Sequence, residues 1–281
     1  MNKGTNKYKE QTVLGIITCN REDMLRVLVD SIDPDCMAKK IIVNNGAPLK
    51  GTYDGYEILQ SKRNPTSVGS GKNVFFREAK NLFPDGWLVC LEDDIEILDN
   101  NVWEKYISTA LESGIIGQLS YGVHGGVNGG SVLSTGEPNI LKTVQYEKNK
   151  VDFYPQSFAA FTLHHASVFK LVGYMDENYV NAGEHLDHYY RMFLDKKLGG
   201  VPWGYFPDVS ESYLYIKDQD TNHEKSVIRS HPGFKQNFLD AWALFRRKYQ
   251  VFPHEVPRPS PEFLMQRLEE LEHKFSSKGA V

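Results

Sequence analysis

The chain has 281 residues, 41% hydrophobic and 24% charged, and is long enough to bury a substantial core. Its net charge of −4 excludes a general electrostatic attraction to nucleic acid or anionic lipid, although a local basic patch remains compatible with it. No apolar run approaches the ~20 residues that cross a bilayer, and the three cysteines are scattered without a CxxC motif. We therefore expect a soluble cytoplasmic protein with reduced thiols and no membrane span.

Short apolar runs that end in polar residues dominate the first hundred positions. Such continuous runs of β-forming residues predict buried parallel strands. The strands are expected at residues 13–17, 41–43, 87–91 and, more weakly, 56–60. Helical patterns lie between them at residues 21–32, with Asn20 as N-cap, and at 71–83.

This alternation predicts an α/β fold, a Rossmann-like, mostly parallel sheet flanked by helices. In open parallel sheets, ligands bind beyond the carboxyl ends of the strands. The polar residues that follow the strands should therefore converge on one site.

The second half of the sequence is more mixed. The glycine-rich stretch 121–130 predicts a loop near a ligand, and the polar stretch 217–224 predicts a mobile segment. We expect a strand at 158–163 and helices at 183–197, at 234–249 and after Ser260. The last helix carries an apolar stripe that should pack on the body: Leu264, Leu268, Leu271 and Phe275. We divide the chain into a domain of residues 1–232, with halves at 12–98 and 99–232, and a C-terminal helical extension at 233–281.

Three consecutive acids, Glu92, Asp93 and Asp94, follow the strand that begins at Trp87. One interpretation is a solvated acidic loop. The other is a site for a hard divalent cation, with carboxylate oxygens as ligands and substrate phosphates in the remaining positions. The place of these acids at the tip of a buried strand favours the cation site.

Two glycine-containing motifs do not match known chemistry. Residues 69–73 (GSGKN) lack the glycine and the Ser or Thr of a phosphate-binding P-loop, so Lys72 either meets a phosphate or faces water. His124 and the two glycines after it have no GxSxG partner, which excludes an α/β-hydrolase. The nine histidines show no HExxH or zinc-type spacing.

Residues 183–191 (GEHLDHYYR) are the densest ionisable stretch. On a helix, Asp187 and Arg191 are four residues apart, and one interpretation of the pair is a simple ion pair on the surface. In a functional interpretation, Glu184, His185 or Asp187 acts as a general base, with a pKa raised toward neutrality.

In this order, the motifs resemble those of the family-two glycosyltransferases, which have the GT-A fold. The resemblance covers residues 12–195. The matching segments are Thr18-Cys19-Asn20-Arg21, Ile42-Val43-Asn44-Asn45-Gly46, Arg63-Asn64 through Gly71-Lys72-Asn73, Glu92-Asp93-Asp94, and Met175-Asp176-Glu177 followed by residues 183–187 and Arg191.

The resemblance implies a role for each matching residue. It assigns Thr18, Asn20 and Arg21 to the nucleotide, and we add Asn44 and Lys72 to the nucleotide-binding set. Asp93 would reach the ribose, Asp94 would be the principal metal ligand, and Glu92 would support the metal. A histidine near the end of the domain often completes the metal site in this fold. His223 is our first candidate and His231 the second. Asn44 stands where the family often has an aspartate that binds the nucleobase. His185 replaces an acid of the family's motif, so the general base stays open among Glu184, His185 and Asp187.

The function implied is a metal-dependent, inverting transfer of a sugar from a nucleotide-diphosphate donor, with UDP-sugar expected and Mn²⁺ or Mg²⁺ as cofactor. Two alternatives stay open: a non-catalytic module that binds nucleotide sugar or glycan, and a sugar-phosphate nucleotidyltransferase, which would need a G-x-G-T-R turn. The acceptor is a glycan or, as in some phage-modifying transferases, a hydroxylated base in DNA. A basic patch could face the phosphates of such DNA: Arg246, Arg247, Lys248 and Arg258.

Overall fold

The computed structural model describes residues 6–61, 67–124, 128, 138–220 and 224–276. The strands are β1 (Thr12–Thr18), β2 (Lys39–Asn44), β3 (Glu57–Gln60), β4 (Trp87–Glu92), β5 (Ile95–Ile97), β6 (Leu119–Ser120), β7 (Lys142–Gln145), β8 (Lys150–Tyr154), β9 (Phe161–His165), β10 (Phe206–Val209) and β11 (Ile216–Asp218). The helices are α1 (Glu22–Ser31), α2 (Val68–Leu82), α3 (Val102–Ser113), α4 (Ser167–Leu171), α5 (Glu184–Leu194), α6 (Val227–Ser230), α7 (Phe234–Tyr249) and α8 (Pro261–Ser276).

The central sheet has the strand order β3-β2-β1-β4-β9-β6 within the described part of the chain. The first four strands of this order run parallel, and β9 pairs antiparallel with both β4 and β6. Two antiparallel ribbons accompany it: β10-β8-β7, and β11 paired with β5. The expectation of a Rossmann-like, mostly parallel sheet flanked by helices is confirmed.

Each face of the sheet buries its own apolar cluster, because successive side chains of a strand point to opposite faces. On β1, Leu14 and Ile16 belong to the larger cluster, which α1, α3 and α8 cover. Val13 and Ile17 belong to the smaller one, which α2 and α4 cover. The strands are therefore buried on both faces, as their continuous apolar sequences predict.

Most predicted elements occur close to their expected bounds, and α7 spans 234–249 as expected. The helix expected at 71–83 begins earlier, at Val68, because Ser67 and Ser70 form a reciprocal capping box. Asn20 is not the N-cap of α1; that position is Arg21.

Helix α8 packs back on the body as its apolar stripe predicts. Leu264, Leu268 and Leu271 are buried in the larger cluster, together with Ala241 and Phe245 of α7. The side chain of Phe275 lies outside the described residues. The three cysteines form no disulfide. In the described ranges, no helix is both long and apolar enough to span a bilayer.

Candidate active site

The carboxyl ends of the central parallel strands reach the same level of the sheet. Ile17 pairs in register with Glu92, and Thr18 pairs with Asn44. A cavity of about 1020 Å³ opens at this edge. The predicted convergence of strand ends is therefore confirmed. From these ends the cavity is lined by Ile17, Thr18, Cys19, Arg21, Asn45, Glu92 and Asp94.

Arg21 binds both aspartates of the acidic turn. Its guanidinium donates to Asp93 and, over 3.2 Å, to Asp94 Oδ2. Thr18 Oγ1 donates to Asp93 Oδ2 over 2.6 Å. Asp93 is fully buried and does not line the cavity, so the structure does not expose it to a ribose. Burial outweighs the charge of Arg21 and raises the pKa of Asp93 to about 7.

Asp94 faces the cavity and keeps one oxygen unused. Its Oδ1 atom is buried and has no hydrogen-bond partner among the described residues. Burial alone would raise the pKa of Asp94, but the charges of His124 and Arg21 outweigh it and lower that pKa. Asp94 is thus ionised and carries an oxygen available to a ligand.

The segment around β11 holds the acidic turn in place. The Gln219 side chain donates to the backbone oxygens of Asp93 and Ile95, over 3.2 and 2.6 Å, and its backbone N–H donates to Asp94 O over 2.8 Å. Lys217 and Asp218 lie in β11. Residues 217–219 are therefore anchored, which corrects the expectation of a mobile stretch there; residues 221–223 lie outside the described part of the chain.

His124 is a cavity residue that stands close to the acids. Its Nδ1 lies 2.7 Å from Asp218 Oδ1, and the side chain is only 11% exposed. Burial would lower the pKa of His124, but the hydrogen bond to Asp218 and the charge of Asp94 raise it to about 9. His124 is therefore a cation at neutral pH on the same cavity wall as Asp94.

Lys72 is an internal counter-ion. Its side chain is fully buried, and Nζ donates to Glu92 Oε1 over 2.6 Å and to Ala159 O over 3.1 Å. Burial alone would lower the pKa of Lys72, but the charge of Glu92 raises it. Lys72 therefore does not line the cavity, and the prediction that it meets a phosphate is not supported, because its ammonium neutralises Glu92 instead.

Two predicted nucleotide ligands, Asn44 at the end of β2 and Asn20 after β1, are bonded within the turn that follows β2. Asn44 donates to Ala47 O and Gln60 Oε1 and accepts from Gly46 N–H, so it shapes the turn and lies outside the cavity lining. Asn20 likewise accepts from Ala47 N–H. The structure thus directs both predicted nucleotide ligands to the turn that ends at Ala47.

Asn45 lines the cavity in their place. Its Nδ2 donates to Ser67 O over 3.2 Å, while its buried Oδ1 has no hydrogen-bond partner among the described residues. A Cβ atom on Gly71 would lie 2.3 Å from Asn45 Nδ2. Gly71 of the GSGKN motif therefore leaves room for the close approach of this side chain, and its presence needs no phosphate.

Glu184 and His185 bring α5 to the cavity. Gly183, with φ of +77°, turns the chain into the helix, and both following residues line the cavity. Glu184 Oε1 lies 3.6 Å from His185 Nδ1. Burial alone would raise the pKa of Glu184, but the interaction with His185 lowers it to about 2. The predicted shift of a base toward neutrality is therefore not what the structure gives for Glu184.

Asp187 is not brought to the cavity. It is fully buried, and its carboxylate accepts from Arg191 Nε over 2.9 Å, from Tyr249 OH over 2.8 Å and from Lys248 Nζ. These contacts join α5 to α7. The candidate base Asp187 is thus a buried ion-pair partner, because both of its carboxylate oxygens already accept hydrogen bonds from these side chains.

The residues at the acidic turn fit a divalent cation that binds through few protein oxygens. Asp94 offers the unused Oδ1, and Glu92 lines the same cavity. Over the described ranges, no three histidine, cysteine, aspartate or glutamate side chains converge as an all-protein metal site would require. Mg²⁺-type sites commonly use one or two carboxylates together with substrate phosphates, which matches this arrangement. The predicted third ligand, His223, lies outside the described residues, while His231 lines the cavity.

Sequence reasoning missed His124, Asn45 and Gln219. His124 carried a signal, since it lies in the glycine-rich stretch expected near a ligand, but its pairing with Asp218 joins residues that are 94 positions apart. Asn45 follows Asn44, the residue that stands where the family often has the aspartate that binds the nucleobase. Gln219 gave no signal, because nothing local indicates that it bonds to the acidic turn.

No family model matches this sequence, and no curated protein sequence matches it. Solved structures do match. Mannosyltransferase PcManGT from Pyrobaculum calidifontis, in complex with GDP-Man and Mn²⁺, superimposes with a TM-score of 0.54 at 11% identity, over 99% of this chain and 79% of that chain. TarS 1-349 from S. aureus gives 0.50 at 13% identity, over 96% and 73%. GalNAc-T7 with UDP, GalNAc and Mn²⁺ gives 0.54 at 12% identity, over 98% of this chain and 57% of that one.

These structures define the class of fold. The chain has the GT-A fold of nucleotide-sugar glycosyltransferases, as the order of its motifs indicates. At 11–13% identity the similarity establishes the fold, and the site must establish the chemistry.

Proposed function

We propose that this protein is a metal-dependent glycosyltransferase that moves a sugar from a nucleotide-diphosphate donor to an acceptor hydroxyl, with inversion at the anomeric carbon. The observation that carries the proposal is Asp94: an ionised, buried carboxylate with an unused oxygen, at the tip of β4 and on the wall of a large cavity. The expectation of a divalent cation is supported by the Mn²⁺ in the complexes of PcManGT and GalNAc-T7. The UDP in the GalNAc-T7 complex supports a UDP-sugar, whereas the GDP-Man in the PcManGT complex supports a nucleotide-sugar donor in general.

Asp94 and Glu92 are the residues that would hold the cation. When bound, the cation neutralises negative charge on the leaving diphosphate. The chain adds its own positive charges at the cavity wall, Arg21 and the protonated His124. Thr18, Arg21 and Asn45 line the donor side, where Asn45 Oδ1 is free to accept a hydrogen bond from a nucleobase.

Glu184 is the general base in this proposal, with His185 beside it. Glu184 is ionised at neutral pH and therefore can accept the proton of the acceptor hydroxyl. Its low pKa makes it a weak base as long as His185 stays close. An acceptor that separates the two side chains removes the main cause of the lowered pKa and makes Glu184 a stronger base.

The low pKa of Glu184 is also the observation that favours the rival interpretation, a non-catalytic module that binds nucleotide sugar or glycan. The two functions differ in turnover. A transferase releases sugar from at least one donor, to an acceptor or to water, whereas a binding module shows metal-dependent affinity alone.

The test of the cation site is Asp94→Asn, which keeps the shape of the side chain and removes its charge. We expect UDP and Mn²⁺ together to raise the melting temperature of the wild-type protein more than either alone. Asp94→Asn should lose this synergy and all release of UDP from UDP-sugars. The control is Asp54→Asn, since Asp54 is exposed and lies outside the cavity lining. Unchanged UDP release by Asp94→Asn would refute the role of the cation.

The test of the base is Glu184→Gln. We expect kcat to fall by about 100- to 1000-fold, while the UDP and Mn²⁺ thermal shift is retained, because the base acts on the acceptor and not on the nucleotide. Product anomers read by NMR should be inverted relative to the donor. A fully active Glu184→Gln variant, with His185→Gln equally active, would remove α5 from the mechanism.

A further inference from the structure

Positive charge is concentrated in one segment of this acidic chain. Residues 225–258, which we call the basic segment, contain seven lysine and arginine residues and two acidic residues, although the whole chain has a net charge of −4. The basic segment begins just before α6, includes α7 and ends before α8. A strong local excess of one charge indicates a partner of the opposite charge.

The wall of the cavity divides by charge. Every carboxylate in the described lining belongs to β4, to the turn after it or to α5: Glu92, Asp94 and Glu184. The basic segment contributes Arg229 and Arg258 to the same lining, and no acidic residue. A ligand that reaches from Glu184 to the basic segment therefore meets cations where it contacts that segment.

Arg258 is anchored by one nitrogen of its guanidinium. Its Nε donates to Gly204 O over 3.0 Å, and its Cζ lies 5.8 Å from the centroid of the Tyr205 ring. A Cβ atom on Gly204 would lie 3.0 Å from Arg258 Nε, so this glycine leaves room for the arginine. The two terminal nitrogens of the guanidinium remain for a ligand.

Of the four basic residues predicted to face phosphates, Arg258 is the one that belongs to the described cavity lining. Lys248 pairs with Asp187 instead. Arg229, on α6, is a cavity residue that sequence reasoning missed. Arg229 and Arg258 are both exposed, and neither forms an ion pair with a described residue. Two cations are thus available to the negative charge of a ligand.

Aromatic rings share the basic segment with these cations. Phe238, Trp242 and His254 line the cavity, with ring centroids 4.9 Å apart for the first pair and 4.8 Å apart for the second. Asn237 lines it from the same helix, and Ser157 lines it with a buried hydroxyl that has no hydrogen-bond partner in the described part of the chain. Proteins bind single-stranded nucleic acid through this combination, in which cations contact phosphates and aromatic rings stack on bases.

We propose that the acceptor is a nucleic acid strand, in which a base that carries a hydroxyl group stacks on Trp242 and the flanking phosphates pair with Arg229 and Arg258. This inference rests on the proposed function, since an acceptor has meaning only if the protein transfers sugar. Glu184 takes the proton of the base's hydroxyl, whose oxygen forms the new bond to the anomeric carbon. The bond from that carbon to the diphosphate breaks, and its electron pair leaves with the nucleotide. A paired base cannot enter the cavity, so the strand is single or the base is turned out of its duplex.

The test measures the affinity of the whole protein for a fluorescein-labelled single-stranded DNA that contains 5-hydroxymethylcytosine, by fluorescence anisotropy in the presence of UDP and Mn²⁺. We expect wild type to bind this DNA with an affinity that falls as the salt concentration rises. Arg229→Gln and Arg258→Gln should each reduce the slope of log affinity against log salt by about 0.7, the value for one phosphate contact on a single strand. Lys142→Gln is the matched control, which should keep the wild-type slope, because Lys142 is also exposed and lies outside the cavity lining.

Trp242→Ala tests the stacking of the base. It should weaken the affinity for the DNA by about tenfold, and Trp242→Phe should restore most of it, because a phenyl ring also stacks. The two arginine variants change exposed side chains, so they test the inference even if Trp242→Ala does not fold.

Heparin, an anionic glycan without bases, serves as the competing probe. Retention of heparin with no DNA bound would overturn the inference, as would wild-type affinities and salt slopes in Arg229→Gln, Arg258→Gln and Trp242→Ala. If wild type binds no DNA but keeps the joint UDP and Mn²⁺ thermal shift, only the acceptor inference has failed. The absence of that shift in wild type removes the proposed function itself.

Discussion

At the scale of single residues, the site is organised by which polar atoms already have partners. Asp93 and Lys72 are fully buried and hydrogen-bonded, so they set charge and geometry without facing the cavity. Asp94 and Asn45 each present a buried oxygen that has no hydrogen-bond partner among the described residues. Buried polar atoms without partners are rare in proteins, and at a cavity they indicate where a ligand is hydrogen-bonded.

Gly71→Ala tests the position of Asn45. The new Cβ atom would lie 2.3 Å from Asn45 Nδ2, so the asparagine has to move. We expect UDP affinity in the presence of Mn²⁺ to fall by about tenfold, equivalent to about one lost hydrogen bond. The fold should persist, since alanine favours a helix more than glycine does.

A double-mutant cycle with Asn45→Ala separates this cause from a general disturbance of α2. If glycine acts through Asn45, the double variant binds UDP no more weakly than Asn45→Ala alone. Additive losses of affinity would show that Gly71 has another role.

At the scale of elements, the buried cluster around Asp187 ties α7 to α5, the helix that carries Glu184. Lys248 Nζ bridges Asp187 and Asp176, and Tyr249 OH donates to Asp187. Because Phe238 and Trp242 of α7 also line the cavity, this cluster fixes the two cavity-lining helices relative to each other.

Lys248→Met should lower the free energy of unfolding by about 2 kcal/mol, because fully buried Asp187 loses a charged hydrogen-bond donor. Urea unfolding measures the change. Arg247→Met removes the same charge from an exposed neighbouring position and should change stability by less than about 0.5 kcal/mol. Equal effects of the two substitutions would mean that the loss comes from net charge and not from Asp187.

The sequence predicted the helices and strands better than it predicted which side chains contact each other. Runs of apolar residues and helical periodicity placed the parallel strands, α5, α7 and α8, since these signals are local. The start of α2 was missed because Gly69 and Gly71 weaken the helical pattern, while the Ser67–Ser70 capping box extends the helix. The roles of Asp187 and Lys72 depend on contacts with residues 61 and 20 positions away, which no local pattern encodes.

At the scale of the whole molecule, two buried histidines make the free energy of unfolding depend on pH. His164 is fully buried, donates from Nδ1 to Gly117 O over 2.7 Å and packs against the rings of Phe76 and His188. Burial lowers the pKa of His164 to about 4, and it lowers that of His188 well below its ordinary value. Both rings are therefore neutral in the folded protein.

The sign of the effect follows from linkage. An unfolded histidine, with an ordinary pKa of about 6.5, binds protons more readily than folded His164. Stability is thus fully present above pH ~6.5 and is lost as the pH falls toward 4. We expect His164→Gln to reduce the loss of unfolding free energy between pH 7 and pH 5 by about 2 kcal/mol, measured by urea unfolding. An identical loss in wild type and variant would contradict a neutral, buried His164.

Two of the four tryptophans line the cavity. Trp87, Trp103 and Trp203 are buried in the larger cluster, and Trp203 lines the cavity together with Trp242. Indole emission changes with polarity and with neighbouring rings, so half of the protein's indoles are placed to respond when a ligand enters the cavity. Replacing one of the two cavity indoles at a time would show, without any added label, which of them lies beside a bound ligand.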